Sequence, residues 1–325
     1  MHSYFSVKIL VSHAAIIARY RSSKLCYSLS NTGEQCMSLT MVIPAYNEEK
    51  SLEGFLPKLL NYAAEQQFSV IIVNDGSRDQ TQRVLERFSG QAQLTVIHHK
   101  VNNGYGGALK SGIRAASTAY TITIDADGQH QLEDVEKLYS KIKETQADMI
   151  VGKRPGSSSN LYRRLGKFLI RSLARVLLPM PISDLNSGMK IFKTEIAQKY
   201  LELCPNSMAF SDTITLIYIN EKFLVSEEQI TISPRISGKS TINLATAIDT
   251  VVEILNLVTL FNPMRIFLPI SLLFIVAGIL WNIPIFLKGN GLSVGTLLLM
   301  ISGILFFCLG LIAEQLSLIR KGRYR

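Results

Sequence analysis

The sequence predicts an α/β fold with a mostly parallel sheet, followed by a hairpin of two membrane-spanning helices. Short and almost wholly apolar runs alternate with helical stretches from residue 38 to residue 154. Strands of this kind are typical of a parallel sheet that helices cover on both faces. Two uncharged stretches follow, one between Arg265 and Lys288 and one from Gly291 to Ala313. Because about 20 apolar residues span a bilayer, each stretch can cross it.

Strands and helices alternate regularly along the first half of the chain. Asn47 precedes two acidic residues, which suits a helix start directly after the first strand. The predicted strands are SLTMVIPAY, SVIIVND, LTVIHH, AYTITIDAD and ADMIVGKR. The predicted helices are NEEKSLEGFLPKLLNYAAEQ, QRVLERFS, GALKSGIRAAS and LEDVEKLYSKIKET.

Changes in composition divide the chain into four predicted parts. The first part is rich in serine with the single acid Glu34, which is typical of a transit peptide and equally of an upstream start before Met37. Between Leu244 and Phe261, apolar residues crowd one side of a helix, which indicates an interfacial position. We expect a poorly ordered extension (1–36), a folded α/β domain (37–242), a juxtamembrane interfacial helix (243–264) and the hairpin with a basic tail (265–325).

The composition favours an anionic partner. The chain has 34 Lys and Arg against 25 Asp and Glu, a net charge of +9. Such an excess suits a nucleic acid, a membrane surface or a phosphate-rich substrate. The four cysteines show no C-x-x-C spacing, so the sequence predicts neither a disulfide framework nor a zinc site and fits a reducing compartment.

Polar residues follow three predicted strands where those strands end: Tyr46, Asn47 and Glu48, then Asn74 and Asp75, then Asp125 and Asp127. One Asp-Gly ending could be turn chemistry alone. Carboxyl ends of parallel strands share one edge of the sheet, so three such endings predict a binding site. Neighbouring carboxylates repel unless a cation lies between them. Mg²⁺, held by carboxylates and a ligand's phosphates, would stabilise Asp125 beside Asp127.

A nicotinamide-binding domain is the main alternative for such a sheet. It requires G-x-G-x-x-G directly after the first strand, and that position reads PAYNEE. The glycines of NNGYGGALKSG follow the third strand instead, where they allow a tight turn or a close approach of the backbone to a ligand. The sequence therefore does not predict a dehydrogenase.

Five motifs occur in order: VIPAYNEE, VNDGSRDQT, NNGYGGALKSGI, DADGQH and DLNSGMKIF. They resemble the successive motifs of family 2 glycosyltransferases with the GT-A fold, and the resemblance runs from about Leu39 to Ser240. With the hairpin, the arrangement resembles the dolichyl- and polyprenyl-phosphate sugar synthases. The resemblance implies a membrane-bound inverting enzyme that moves a hexose, glucose or mannose, from a nucleotide-diphosphate sugar to a dolichyl or undecaprenyl phosphate.

The resemblance also implies roles for single residues. Asp127 and Gln129 would coordinate Mg²⁺ or Mn²⁺ bridging the donor diphosphate, where the metal stabilises the leaving group. Asp127, Arg154 and Asp212 are the expected catalytic residues, with Asp212 orienting the acceptor. The expected nucleotide-sugar site comprises Pro44, Ala45, Tyr46, Glu48, Val73, Asn74, Asp75, Asp125, Ala126, Arg154 and Arg235. Lys190 stands where many relatives have arginine, and Thr241 where relatives often have lysine, so the donor stays open.

A basic stripe points to the acceptor. In LYRRLGKFLIRSLARVLL, Arg163, Lys167 and Arg171 recur every fourth residue beside apolar positions. Such helices lie at membrane surfaces, although a basic solvent face packed on the sheet would look the same. We expect these three residues to meet the acceptor phosphate or the membrane. A phosphate monoester, with a second pKa near 6, is largely dianionic and can attack the sugar without a strong general base, in a single inverting displacement.

Three alternatives remain in view. Processive polysaccharide synthases share the fold and carry a Q-x-x-R-W motif, but the one tryptophan, Trp281, lies in the first predicted span. A transferase to another lipid acceptor and a non-catalytic membrane scaffold are the others. We expect no nucleic-acid partner, and a homo-oligomer stays open.

The flanks of the hairpin predict its orientation. Arg265 precedes the first span and the tail after the second reads RKGRYR, whereas the connecting loop KGNG has one lysine. Lys and Arg are in excess on cytoplasmic flanks. We therefore expect both ends of the hairpin, and the catalytic domain, to face the cytoplasm.

Overall fold

The computed structural model describes residues 39–155, 182–231, 255–256, 258–289 and 291–322. The described residues form two compact units. One unit holds residues 39–155, 184–218 and 223–231, and the other holds the C-terminal helices. The extension 1–36, the basic stripe at Arg163, Lys167 and Arg171, and Arg235 lie outside the described residues.

Seven strands form one sheet in the first unit, in the order β3-β2-β1-β4-β6-β5-β7. Neighbouring strands are parallel except where β6 runs antiparallel to β4 and β5. The strands are β1 (Leu39–Ala45), β2 (Ser69–Asn74), β3 (Leu94–His98), β4 (Tyr120–Thr123), β5 (Met149–Lys153), β6 (Lys190–Lys193) and β7 (Val225–Gln229). The mostly parallel sheet expected from the sequence is confirmed.

Helices connect the strands of this unit. They are α1 (Glu49–Gln66), α2 (Thr81–Glu86), α3 (Tyr105–Ala115), α4 (Leu132–Thr145), α5 (Thr194–Tyr200) and α6 (Phe210–Asn220). Nearly every residue of β1 and β2 is buried. Because successive side chains of a strand point to opposite faces, this burial shows that both faces of the central strands are covered.

The antiparallel strand β6 brings a second group of residues to the edge where the parallel strands end. Its first residue, Lys190, pairs with Thr123 of β4 and Val151 of β5, close to the carboxyl ends of both. The residues just before β6 therefore approach the same edge as the residues just after β4. The sequence analysis did not predict β6 or β7 as strands.

The second unit contains two long apolar helices, α7 (Met264–Leu287) and α8 (Val294–Gly322). Both are long and apolar enough to cross a membrane, at a rise of about 1.5 Å per residue. They pack closely where glycines remove the side chain: a Cβ on Gly303 would lie 2.6 Å from Ile275. Phe274 stacks on Phe306 with ring centroids 5.4 Å apart. The two predicted spans are confirmed as helices.

Of the predicted juxtamembrane helix 243–264, the structure describes only the C-terminal end. Residues 258–261 are helical, and Val258 and Phe261 are buried. The domain boundaries predicted at residues 242 and 264 stay predictions.

Candidate active site

The turn after β1 places an aromatic ring at the carboxyl edge of the sheet. Tyr46 is 41% exposed, although Ala45 before it is buried. Asn47 has a left-handed backbone with φ of 55°, and its side-chain oxygen accepts a hydrogen bond of 2.8 Å from the Arg78 amide. Glu48 accepts one of 2.7 Å from Ser51 Oγ in α1. The turn is thus fixed by its own polar side chains, which leaves the Tyr46 ring at the surface.

A chain of hydrogen bonds anchors Asp75 after β2. Its Oδ1 accepts from His99 Nδ1 at 2.6 Å and from the Asn103 amide at 2.9 Å. His99 Nε2 lies 2.9 Å from Ser111 Oγ, so the imidazole can donate to the carboxylate and accept from the serine. Asp75 is buried. These contacts fix the orientation of its carboxylate.

An open cleft of about 520 Å³ lies at the carboxyl ends of β2 and β3. Its lining residues include Asn74, Arg78, His98 and Lys100, and none of those described is a carboxylate. Cationic and amide groups suit a polar or anionic ligand.

Asp125 lies after β4 within a set of polar groups. Its Oδ1 accepts a 2.9 Å hydrogen bond from the Tyr105 hydroxyl, and its Oδ2 is 3.4 Å from His130 Nε2. Burial alone would raise the pKa of Asp125, but hydrogen bonds from His130 and Tyr105 and the charges of His130 and Arg154 lower that pKa below its usual value. Burial and the charge of Asp125 raise the pKa of Tyr105 well above its usual value. Tyr105 therefore stays a hydrogen-bond donor to a carboxylate that stays ionised.

Asp127 and Gln129 share one tight turn. Gly128 between them has φ of 70°, a conformation that glycine adopts without strain. The backbone N–H of Gln129 donates a hydrogen bond of 3.1 Å to Asp127 Oδ1. In the described residues, no group of three or more His, Cys, Asp or Glu side chains could hold a metal by itself. A carboxylate and an amide oxygen are hard ligands, and they suit Mg²⁺ or Mn²⁺ whose other positions are taken by water and substrate phosphates.

The backbone of Gly188, two residues before β6, packs against Asp125. A Cβ on Gly188 would lie 2.3 Å from Asp125 Oδ2, closer than two such atoms can approach. The Gly188 carbonyl also accepts a 2.7 Å hydrogen bond from Thr123 Oγ1 of β4. The residue at position 188 therefore has to be glycine for Asp125 to keep its place.

Arg154, after β5, is fixed by Asp184 in a two-pronged ion pair. Arg154 Nε and Nη2 donate to the two oxygens of Asp184, each at 2.8 Å. The hydrogen bond with Asp184 raises the pKa of Arg154. Burial alone would raise the pKa of Asp184, but the hydrogen bonds and charge of Arg154 lower it. Arg154 is 40% exposed, so it can still meet a phosphate from its open side.

Asp212 lies in the first turn of α6, close to a buried lysine. Burial raises the pKa of the Asp212 carboxyl, and its Oδ1 has no hydrogen-bond partner among the described residues. Lys190, Asp184 and Arg154 are the charged groups that act on it. A buried carboxylate oxygen without a partner is costly, which makes Asp212 a group that a ligand could satisfy.

Most of the expected site residues thus lie at one edge of the sheet, but three of them are apolar residues of the core. Ala45 is 1%, Val73 0% and Ala126 3% exposed. A nucleotide would therefore contact their backbone groups. Pro44 is partly buried at the end of β1.

The sequence analysis missed several residues that organise this edge. Tyr105, His99 and Gly188 each contact an expected site residue, and Asp184 fixes Arg154. Tyr105 belongs to the motif NNGYGG, while Asp184 and Gly188 belong to DLNSGMKIF. The motifs therefore already contained Tyr105, Asp184 and Gly188, but only the fold shows which residue each of them contacts.

Known families match both units of the chain. Residues 40–201 match the model of glycosyl transferase family 2, and residues 262–319 match the model of the GtrB C-terminal hairpin. Together with the two apolar helices, the hairpin match indicates association with a membrane.

Individual proteins are also similar to this chain. An uncharacterized protein of Methanocaldococcus jannaschii is 32% identical over 169 residues, which are 50% of this chain and 67% of that protein. The human dolichyl-phosphate beta-glucosyltransferase is 29% identical over 60% of this chain and 66% of its own length. The undecaprenyl-phosphate 4-deoxy-4-formamido-L-arabinose transferase of Proteus mirabilis is 23% identical over 88% of this chain and 90% of its own length.

A solved structure shares the fold of the first unit. The glucosyl-3-phosphoglycerate synthase of Mycobacterium tuberculosis, crystallised with Mn²⁺, uridine diphosphate and phosphoglyceric acid, aligns with a TM-score of 0.53 at 15% identity. The alignment covers 68% of this chain and 78% of that protein. The chain belongs to glycosyl transferase family 2, with a GT-A catalytic fold and a C-terminal membrane hairpin.

Proposed function

We propose that this glycosyltransferase moves a hexose from a nucleoside diphosphate sugar to a polyprenyl phosphate, with inversion at the anomeric carbon. The observation that carries the proposal is the cluster around Asp125. The ionised carboxylate of Asp125, held by Tyr105 and His130, lies at the strand ends with Asp127 two residues later, in a chain that also carries the hairpin. The relatives named for transfer to dolichyl and undecaprenyl phosphate support this acceptor class.

The donor would lie along the carboxyl edge of the sheet. Tyr46 offers an exposed ring for the base, and the anchored carboxylates of Asp75 and Asp125 can accept hydrogen bonds from base and ribose. Arg154, with its exposed side toward solvent and its other side on Asp184, can bind a diphosphate oxygen. Arg235 is proposed for the same role and lies outside the described residues.

Asp127 and Gln129 are the residues that would hold Mg²⁺ or Mn²⁺ in this site. The bound metal would neutralise charge on the leaving diphosphate. The Gly128 turn keeps the two residues adjacent, and the Gln129 amide orients the Asp127 carboxylate. The solved relative with Mn²⁺ and uridine diphosphate supports the choice of metal.

The reaction needs no strong base from the protein. An oxygen of the acceptor phosphate bonds to the anomeric carbon as the bond from that carbon to the leaving diphosphate breaks on the opposite face. Because the acceptor is largely dianionic near neutral pH, no proton has to be removed. Asp212 would orient the acceptor, and the basic stripe at Arg163, Lys167 and Arg171 would attract its phosphate.

The hairpin would anchor the enzyme with its catalytic domain in the cytoplasm. The excess of Lys and Arg on the outer flanks of the two helices supports this orientation. It would also give the catalytic domain access to nucleotide sugars made in the cytosol.

The purified full chain, incubated with radiolabelled nucleotide sugars and polyprenyl phosphate, tests the proposal. We expect label in the extractable lipid with Mg²⁺ or Mn²⁺ present, loss of transfer in Asp127→Ala, and normal transfer in Glu144→Ala, a carboxylate exposed on α4. Label on soluble glycan or polymer would contradict the acceptor. Metal-dependent transfer in Asp127→Ala would contradict the metal assignment.

A further inference from the structure

The segment before β6 is held at four consecutive backbone carbonyls. Residues 185–188, which we call the 185–188 segment, lie just before β6. The backbone carbonyl of each of these residues accepts a hydrogen bond from a different side chain. The donors, in order, are Lys190 Nζ at 2.7 Å, Arg154 Nη2 at 2.9 Å, Ser211 Oγ at 2.6 Å and Thr123 Oγ1 at 2.7 Å. Residues outside regular structure seldom have every carbonyl bound by a side chain, since most protein hydrogen bonds join backbone groups. The segment is therefore set in one position.

Lys190 joins this segment to α6. Its Nζ donates to the Leu185 carbonyl, to the Ser211 carbonyl and, at 2.7 Å, to Thr215 Oγ1. In its ammonium form, Lys190 thus uses all three of its protons in these hydrogen bonds. Ser211 and Thr215 lie in the first turns of α6, on either side of Asp212. One side chain therefore fixes both the helix that carries Asp212 and the segment that packs on Asp125.

Lys190 does not meet substrate, because it is 1% exposed. Asp212 and Asp184 are the carboxylates facing it, Arg154 is the other cation, and Cys204 is a buried thiol nearby. Burial lowers the pKa of Lys190 to about 7, against the raising effect of Asp212 and Asp184. Burying an amine here costs desolvation free energy. An apolar side chain of similar size would not have that cost.

We propose that Lys190 is a positioning residue for the transfer reaction, which ties the 185–188 segment to the first turns of α6 and so sets Asp212 and Arg154 relative to Asp125. The inference rests on the proposed function. Without the Lys190 amine, the carbonyls of Leu185 and Ser211 lose their shared donor. Asp212, which would orient the acceptor, is then less firmly positioned. Arginine has enough N–H donors for the same acceptors, so it would restore part of the connection between the 185–188 segment and α6.

Kinetics of the full chain in detergent test the proposal. We expect Lys190→Met to lower kcat at least about tenfold and to raise KM for the acceptor more than KM for the donor. Lys190→Arg should recover at least a third of the wild-type kcat. Lys193→Met, which removes a half-exposed lysine from the same strand, is the matched control and should keep kcat. A folded Lys190→Met protein with kcat within twofold of wild type would overturn the proposal, as would an arginine variant no better than methionine.

A second measurement separates anchoring from catalysis. We expect faster amide hydrogen exchange in residues 184–189 and in the first turn of α6 for Lys190→Met than for Lys193→Met. If Lys190→Met does not fold, Thr215→Val removes one acceptor of the lysine and should show the same faster exchange and a lower kcat. Unchanged exchange in the folded variant would refute the anchoring. Absence of transfer by the wild type would instead refute the proposed function.

Discussion

The Asp125 carboxylate lies directly against the backbone of Gly188, so that a methyl group on Gly188 would be 2.3 Å from Asp125 Oδ2. The two residues come from β-strand ends that are far apart in sequence, and the antiparallel strand β6 brings them together. Gly188 is held in place by the hydrogen bond from Thr123 to its carbonyl. It therefore forms one wall of the space in which Asp125 is oriented.

Gly188→Ala should weaken donor binding in a protein that still folds, although overpacking beside Asp125 costs about 1–3 kcal/mol of stability. The added methyl group would push the Asp125 carboxylate away from Tyr105, since the neighbouring backbone is fixed. Titration calorimetry with a nucleoside diphosphate and Mn²⁺ should show an affinity at least about tenfold weaker. Gly54→Ala is the control, because a Cβ there meets nothing within 4 Å and alanine favours the helix by about 0.5–1 kcal/mol. Unchanged affinity in Gly188→Ala would show that Asp125 does not touch the donor.

Tyr105→Phe should weaken donor binding without unfolding the protein. The substitution keeps the ring and removes the hydroxyl that donates to Asp125 Oδ1 at 2.9 Å. A hydrogen bond to a charged group contributes about 1.5–3 kcal/mol, so we expect KM for the donor to rise about tenfold or more. Tyr62→Phe, in α1, controls for the loss of a tyrosine hydroxyl from the interior. Equal KM values in the two variants would contradict the role given to Tyr105.

Lys190 should make stability depend on pH. Its pKa is about 7 in the folded protein against about 10.4 for a free lysine, so the unfolded chain binds more protons than the folded one between these values. Stability from this group therefore rises as pH rises from 7 to 9, by up to about 1.4 kcal/mol per pH unit.

The unfolding temperature of the detergent-solubilised chain, followed by circular dichroism from pH 7 to pH 9, measures this effect. We expect the wild type to gain stability relative to Lys190→Met across the range, because the methionine variant lacks the titrating group. Titrating residues that do not interact with Lys190 are common to both proteins and cancel in the difference. Parallel profiles would mean that Lys190 titrates outside this range.

The orientation of the hairpin can be tested by cysteine labelling. Gly291, in the loop between α7 and α8, is exposed, and a Cβ there meets nothing within 4 Å. In a background without the four native cysteines, Gly291→Cys should react with an impermeant thiol reagent from the non-cytoplasmic side of sealed vesicles. Gly90→Cys, equally exposed and unobstructed in the catalytic domain, should react only from the cytoplasmic side. The reverse pattern would contradict the proposed orientation.

The sequence predicted the parallel core of the fold because β1 to β5 are short runs rich in apolar and β-branched residues, a pattern that can be recognised within each segment alone. The short strand β7 (VSEEQ) escaped, since it has neither alternation nor an apolar run, and β6 lies after a stretch without a regular pattern. Strand pairing supplied what their own residues do not specify.

The same division holds for the site. The sequence by itself placed Asp75, Asp125 and Asp127 along one edge of the sheet, because the carboxyl ends of parallel strands share an edge whatever the details of packing. It also predicted the hairpin, since each stretch is long enough to span a bilayer and carries no charge. Only the tertiary structure decided that Gly188 confines Asp125, that Asp184 holds Arg154, and that Lys190 joins two segments beside Asp212. Those contacts depend on the antiparallel return of β6 and the placement of α6, and no local pattern of residues encodes which distant group a buried side chain will meet.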